Sequence, residues 1–207
     1  STVGNYIYVT YCNFSFGGGK QYTQVKRYNL TTGQWENIQI PNPLVSSNLH
    51  RSIGYNGEYW MIAAASGSKP IIVKVDGDSK VTQYEVPTTI TNILEASMDI
   101  SENGTVCASL IASGEDSQIL YLDGGEWKQL GGSPCSNCQA ADMTIYKNRV
   151  YVGSVLTGTG AVSLTYKDLP EKEIPELIST ESQTVSVADG YVTGLPQRAA
   201  NLNLYLE

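Results

Sequence analysis

The chain has few charged residues, and those it has are mostly acidic. Charged side chains make up 16% of its 207 residues, and the formal net charge is -7. Nucleic-acid binding draws most of its affinity from Lys and Arg placed against phosphates, so this balance argues against a nucleic-acid partner. No apolar run approaches the roughly 20 residues that a membrane-spanning helix needs. The sequence therefore predicts neither nucleic-acid binding nor a membrane span.

Cysteine and histidine are also scarce. The four cysteines are Cys12, Cys107, Cys135 and Cys138, too few for a disulfide-stapled scaffold of this size. The pair Cys135 and Cys138 has a metal-like spacing, but a structural zinc site needs four ligands and the sole histidine is His50. We expect a local disulfide or two free thiols there, and no metal or cofactor. No Ser or Cys nucleophile motif accompanies His50, so no catalytic residue is assigned to it.

Glycine and tyrosine are abundant instead. The chain contains 20 Gly and 14 Tyr but only two Phe. Together with many Ser, Thr and Asn, this profile is typical of short strands joined by turns. Most aromatic rings carry a hydroxyl that faces water or a ligand while the ring packs. We therefore predict an all-β protein, organised as a single domain over residues 1–207.

One unit of strands and tight turns recurs along the chain. In the clearest copy, strands are predicted at Tyr6–Tyr11, Tyr22–Leu30 and Trp35–Ile40. In the second copy, Asn56-Gly57 joins two strand patterns, which is the strongest short-range signal for a hairpin. Each copy therefore predicts a small antiparallel sheet.

The hairpins recur at a regular interval. They centre near Tyr8, Trp60, Cys107, Tyr151 and Val192, roughly 40 to 50 residues apart. That is the period of four-stranded propeller blades. The fold predicted is a β-propeller of four to five blades, and the alternative is a β-sandwich built from the same hairpins.

A resemblance to a known family supports the propeller. The segments Tyr28–Trp35 (YNLTTGQW) and Tyr55–Trp60 (YNGEYW) resemble the kelch repeat, which places an aromatic residue and a turn before a Trp, then an Asn-Gly-x-aromatic hairpin. Shorter matches occur at Asp123–Trp127 (DGGEW) and Asn148–Gly153 (NRVYVG). The resemblance implies a propeller with binding loops at the blade ends.

The repeat pattern is incomplete at both ends. The first copy lacks a leading strand in this pattern, and the fifth, which begins at Thr184, lacks its last. Either the terminal segments form one composite blade, which gives four blades, or a partner chain completes a fifth. Because an unpaired strand edge invites pairing, we expect homo- or hetero-oligomeric contacts through the terminal strands.

Aromatic residues recur at the predicted blade edges and turns. Sugar recognition uses aromatic faces for apolar sugar patches and amides or carboxylates for hydroxyls. A Trp at a fixed place in each blade also packs neighbouring blades together, so part of the set is expected in the core. The candidate binding residues are Tyr28, Trp35, Tyr59, Trp60, Trp127 and Tyr151.

Three acids occupy comparable places in successive copies. Asp99, Asp142 and Asp189 each come shortly before a hairpin turn. Paired carboxylates carry out glycoside hydrolysis, and five-bladed propellers include such enzymes. Asp beside a turn is also ordinary turn chemistry. A glycoside hydrolase-like propeller is therefore an alternative and not the main hypothesis.

The main hypothesis is a non-catalytic, lectin- or adhesin-like module that recognises a glycan or a protein surface through propeller loops. The other alternative is a structural or attachment protein of a virus or phage particle, since the low charge and unfinished terminal blades suit assembly with other chains. Both place the protein outside the cell or at a virion surface. Fold alone does not choose among these functions.

Overall fold

The structure is a computed structural model that describes residues 1–12, 22–43, 49–65, 67–90, 92–112, 115–171, 186–188 and 191–193. Its contacts divide the chain into two compact units, Ser1–Pro170 and Glu171–Glu207. The single domain over residues 1–207 stays a prediction. Over the described ranges, no helix is long and apolar enough to cross a membrane.

The unit Ser1–Pro170 contains four antiparallel sheets that follow one another along the chain. Sheet 1 consists of β1 (Thr2–Val3), β2 (Tyr6–Cys12), β3 (Thr23–Asn29) and β4 (Gln34–Ile38). Sheet 2 consists of β5 (Leu49–Tyr55), β6 (Glu58–Ala64), β7 (Ile71–Val75) and β8 (Val81–Glu85). Sheet 3 consists of β9 (Ile93–Ile100), β10 (Val106–Ala112), β11 (Gln118–Asp123) and β12 (Glu126–Gln129). Sheet 4 consists of β13 (Cys138–Tyr146), β14 (Arg149–Leu156) and β15 (Val162–Asp168).

The unit Glu171–Glu207 contains one hairpin in its described residues. It is formed by β16 (Ser186–Ala188) and β17 (Tyr191–Thr193), in the region of the predicted fifth copy. The predicted final strand at 201–206 and the candidate acid Asp189 lie outside the described residues.

The first strands of successive sheets lie side by side. Strand β9 contacts both β5 and β13, and β1 contacts β5. At Gly54 of β5, an added Cβ would stand 2.9 Å from the carbonyl oxygen of Thr2, so only glycine allows this approach. Consecutive four-stranded meanders that share a row of inner strands are propeller blades. The prediction of an all-β propeller is confirmed. The alternative of a β-sandwich, which consists of two facing sheets, does not describe this arrangement.

Hydrophobic clusters fill the spaces between neighbouring sheets. Sheet 2 lies between sheets 1 and 3, and its strand β6 is buried on both faces. This explains why its sequence, EYWMIAA, reads as a continuous apolar run and not as an alternation. The cluster between sheets 1 and 2 includes Tyr8, Val25, Ile38, Tyr59 and Met61. The next two clusters include Trp60, Ile62, Met98 and Leu110, then Cys107, Ile111, Met143 and Val152.

Sheet 1 has its own leading strand, so the expectation that the first copy lacks one is wrong. Strand β1 pairs with β2 through Thr2 opposite Ile7 and Val3 opposite Tyr6. A two-residue strand carries no period-two alternation, which is why the sequence pattern does not reveal it. A composite blade is therefore not needed to give sheet 1 four strands.

The predicted Asn56-Gly57 hairpin is confirmed. Both residues have positive φ, 48° at Asn56 and 77° at Gly57. This is the conformation of a type I′ turn, whose twist matches that of the two strands it joins. The turn sets the register of β5 against β6, with Tyr55 opposite Glu58.

Candidate functional site

Three of the six predicted binding residues lie in the packing between sheets. Tyr59 is fully buried, and its ring stacks on that of Tyr8 with the centroids 4.4 Å apart. Burial raises the pKa of the Tyr59 hydroxyl. Trp60 is buried and stacks on Tyr84, and Trp127 packs against the same cluster. These rings hold sheets together, and a ligand-binding role for them stays a prediction.

The other three lie on faces turned away from neighbouring sheets. We call the face of sheet 1 that points away from sheet 2 its outward face. Tyr28 and Trp35 are opposite each other there, with ring centroids 5.2 Å apart, and Trp35 is 57% exposed. Tyr151 lies in sheet 4, 6.0 Å from the ring of Tyr166. The structure therefore brings Tyr28 and Trp35 together and places Tyr151 in a different sheet.

Strand alternation determines what else the outward face of sheet 1 carries. Val25 points toward sheet 2, so its neighbours Gln24 and Lys26 point outward. Tyr11 lies opposite Gln24, and Asn37 lies opposite Lys26. The outward face therefore combines an aromatic ring, two amides and an ammonium group.

A cleft of about 480 Å³ opens at one end of sheet 1, where β2 ends and β3 begins. Its volume lies within the roughly 300–1,000 Å³ range of small-molecule sites. The aromatic and polar residues of its lining are Tyr11, Tyr22, Thr23, Gln24, Lys26, Asn37 and Gln39. The apolar residues are Val25, Ile38, Ile40 and Pro43. We call this the sheet 1 cleft, and its lining suits a ligand with both hydroxyls and an apolar side.

Two residues of the sheet 1 cleft differ in what they offer to a ligand. The hydroxyl of Thr23 is buried and has no hydrogen-bond partner among the described residues. Thr23 lies on the same side of β3 as Val25, so its side chain points toward sheet 2 and away from the outward face. The ammonium of Lys26 lies 5.8 Å from the ring centroid of Tyr11. None of the ion pairs formed within the described residues includes Lys26.

The next residue along β3 shows the opposite arrangement. Arg27 points toward sheet 2, forms a 2.6 Å ion pair with Glu36, and lies over the ring of Tyr6. Burial works against its charge, but hydrogen bonds to Tyr8 and Glu36 outweigh that effect and raise the Arg27 pKa. Two consecutive cations thus differ in role, because one is held inside the fold and the other lies at the cleft.

Acids on β9 bind the backbone of the neighbouring inner strand. One carboxylate oxygen of Asp99 accepts hydrogen bonds from the Ile145 amide at 2.7 Å and the Thr144 hydroxyl at 3.1 Å. Glu95, whose place in the sequence carries no functional signal, accepts a 2.7 Å hydrogen bond from the Ala141 amide. Both acids satisfy amide groups on the edge of β13 that faces β9. The contacts of Asp99 are those of a residue that joins sheet 3 to sheet 4.

Asp142 lies on β13 itself. It forms an ion pair with Arg51 of sheet 2 and accepts a 2.8 Å hydrogen bond from the Met143 amide. The amides at 141, 143 and 145 are therefore each bound by a carboxylate. Catalysis by Asp99 and Asp142 would have to compete with these contacts.

The cysteines form one disulfide and one buried thiol within the described residues. Cys135 and Cys138 are joined, which decides between the two alternatives left open by the sequence. Burial, with a smaller contribution from the charge of Asp99, raises the pKa of the Cys107 thiol to about 12. That thiol is not a nucleophile at neutral pH. No group of three or more metal-ligating side chains occurs over the described ranges, and the side chain of His50 lies outside them.

No family model matches the sequence, and no curated protein matches it. Among solved structures, the chain is similar to the GH43 endo-arabinanase from Bacillus licheniformis, with a TM-score of 0.44 and 15% identity over 84% of this chain and 72% of that one. It is also similar to TolB from Acinetobacter baumannii, with a TM-score of 0.39 and 14% identity over 78% of this chain and 41% of that one. Likenesses this remote carry no information about what this chain binds.

Proposed function

We propose that the chain is a non-catalytic binding module that recognises a saccharide in the sheet 1 cleft. The observation that carries this is the lining of the cleft, where Tyr11 and Tyr22 stand beside the amides of Gln24 and Asn37. Aromatic rings cover the apolar side of a sugar, and amides donate to and accept from its hydroxyls. The half-buried Tyr28 and the exposed Trp35 extend the aromatic surface along the same face.

A broad glycan array, followed by titration calorimetry with the best saccharide, tests this proposal. The Asn37→Ala and Tyr22→Ala variants are expected to weaken binding at least about tenfold, since each removes a group that lines the cleft. The matched control is Tyr146→Ala, which removes an exposed tyrosine from sheet 4. Saturable binding that both cleft variants weaken and the control leaves intact supports the proposal. An array with no saturable binding overturns it.

A second candidate function is assembly with another copy of the chain, as in a structural or attachment protein of a virus particle. Two features of sheet 4 favour it. Within the described residues β15 pairs only with β14, so its other edge has no strand partner. The side chains of Val162 and Leu164 on that strand are 81% and 69% exposed. An unpaired edge beside an apolar face favours strand addition.

The mass in solution tests assembly. The account expects a defined oligomer that the Leu164→Lys variant converts to a monomer, because a charge on this face opposes its burial. Thr159→Lys, a change at an exposed site in the loop before β15, is the matched control. A monomer at every concentration measured rules out assembly of this kind.

The glycoside hydrolase-like alternative requires a free pair of carboxylates. If Asp142 is catalytic, Asp142→Asn abolishes release of reducing sugar while leaving saccharide binding intact. The contacts of Asp99 and Asp142 favour the non-catalytic proposal, which expects no reducing sugar from the unmodified protein.

We also propose an extracellular or virion-surface location and a kelch-like origin for sheet 1. The disulfide between Cys135 and Cys138 supports the location, because disulfides persist in oxidising compartments. The aromatic-turn-Trp spacing over Tyr28–Trp35 supports the origin. Mass mapping of the protein from its source, under alkylation without reductant, tests the location. A free, alkylated Cys135 contradicts it.

A further inference from the structure

The charge in the sheet 1 cleft points to a narrower class of ligand. Among the described residues that line the cleft, Lys26 is the only charged one, and none of them is a carboxylate. The chain as a whole has a net charge of -7, so the positive charge in this cleft is opposite in sign to that of the whole chain. A local excess of positive charge favours an anionic group on the ligand.

The position of the ammonium group supports the same reading. Its cation–π contact with Tyr11 and its place opposite Asn37 hold it on the outward face, beside the amides of the cleft. Lys26 takes part in none of the ion pairs within the described part of the chain, whereas the neighbouring Arg27 pairs with Glu36. The ammonium therefore has hydrogen-bond donors to offer to a ligand.

The amides beside Lys26 form the second part of the site. Gln24 and Asn37 lie on the same outward face, and Asn37 is directly opposite Lys26. Amide groups donate to and accept from sugar hydroxyls, so the ammonium and the amides would bind different parts of one sugar.

We propose that the saccharide bound in the sheet 1 cleft is acidic, and that its carboxylate pairs with the ammonium of Lys26. This inference rests on the proposed saccharide-binding function and names its ligand class. Aromatic rings would contact the apolar side of the sugar, the amides its hydroxyls, and Lys26 the carboxylate. The charge of the sugar would then decide affinity.

Matched pairs of saccharides test the inference. The probes are a galacturonic acid trisaccharide and N-acetylneuraminic acid, each titrated beside its own methyl ester, in which a methyl group replaces the negative charge of each carboxylate. We expect at least one acid to bind about five- to tenfold more tightly than its ester, and the difference to shrink as salt is added.

Variants of Lys26 test whether the affinity difference between acid and ester arises in the cleft. Lys26→Met keeps most of the aliphatic stem and removes the charge, so acid and ester should bind equally. Lys26→Arg keeps the charge and should retain the preference. The control is Lys80→Met, which removes an exposed lysine from outside the cleft and should change nothing. The salt dependence of the unmodified protein does not depend on any variant folding.

The outcomes separate the inference from the function on which it rests. If acids and esters bind equally to the unmodified protein, the inference is overturned and saccharide binding stands. The same holds if Lys26→Met leaves the preference for the acid intact. If none of these probes and no array glycan binds, the proposed function fails and the inference fails with it.

Discussion

The outward faces of sheets 1 and 4 occupy comparable places and differ in chemistry. Among the described residues of the unit Ser1–Pro170, each belongs to a sheet that shares a hydrophobic cluster with one neighbouring sheet. On sheet 4, Arg149 lies over the ring of Tyr166 and pairs with Asp168. On sheet 1, Lys26 lies over Tyr11 and forms no ion pair with a described residue. Arg149 is thus neutralised by a carboxylate, whereas Lys26 has no ion-pair partner among the described residues.

The apolar content of the two faces differs as well. Val162, Leu164 and Tyr166 on sheet 4 are 62% to 81% exposed. Contiguous apolar exposure of this kind marks contact with another macromolecule. The outward face of sheet 1 instead places amides beside aromatic rings around a cleft. The proposed saccharide site and the proposed assembly surface therefore lie on different sheets of the unit Ser1–Pro170 and differ in chemistry.

The largest expected effect concerns the hydrogen bonds by which Asp99 joins sheet 3 to sheet 4. Asp99→Ala removes the acceptor of the Ile145 amide and the Thr144 hydroxyl, so the free energy of unfolding should fall by about 2–3 kcal/mol. Urea denaturation measures this. The control is Asp78→Ala in an exposed turn, expected to cost under about 0.5 kcal/mol. Equal losses in both variants would show that the carboxylate does not anchor β13.

These carboxylates illustrate what the sequence could and could not predict. The turn at Asn56-Gly57 was predictable because its chemistry is local. The use of Asp99 was not, because it binds an amide 46 residues away in the next sheet. Its position before a hairpin turn is equally typical of a catalytic acid, a turn residue and an edge anchor. Only the packing of one blade on the next distinguishes these roles.

The candidate site was predictable in part for a similar reason. Aromatic spacing correctly picks out Tyr28 and Trp35 as neighbours, and it also picks Tyr59, which is fully buried. Recurrence of an aromatic does not say which face of a strand it occupies. In the strand pattern YTQVKRYNL, successive side chains alternate between the two faces. Because Val25 is buried, this alternation predicts that Gln24 and Lys26 point outward, at the cleft.

A smaller effect is expected from the exposed rings. Trp35→Ala should weaken saccharide binding about three- to tenfold, because the ring adds aromatic surface on the same face as the cleft, and should change stability by less than about 1 kcal/mol. The matched variant is Tyr166→Ala on sheet 4, where the ring is 62% exposed, against 57% for Trp35. It should leave saccharide binding unchanged. If calorimetry finds the same loss of saccharide affinity in both variants, the outward faces of sheets 1 and 4 do not differ in binding.

The smallest effect concerns the ion pair on sheet 4. A hydrogen bond from Arg149 holds the pKa of Asp168 below its usual 3.8. A lowered pKa in the folded state stabilises the fold above the unfolded-state value, and that contribution is lost as pH falls through the folded-state value. Both groups are exposed, so the effect on stability is small. A carboxyl NMR titration should give a midpoint below 3.8 that Arg149→Gln returns toward it.

The central claim is that the outward face of sheet 1 is the ligand-binding face. The most direct measurement is NMR mapping of shift changes while the best array saccharide is titrated into isotope-labelled protein. The account predicts that the side-chain amide signals of Gln24 and Asn37 move together, with saturation, while backbone signals of Leu164 and Tyr166 stay in place. Shifts confined to sheet 4, with Gln24 and Asn37 unmoved, would contradict it.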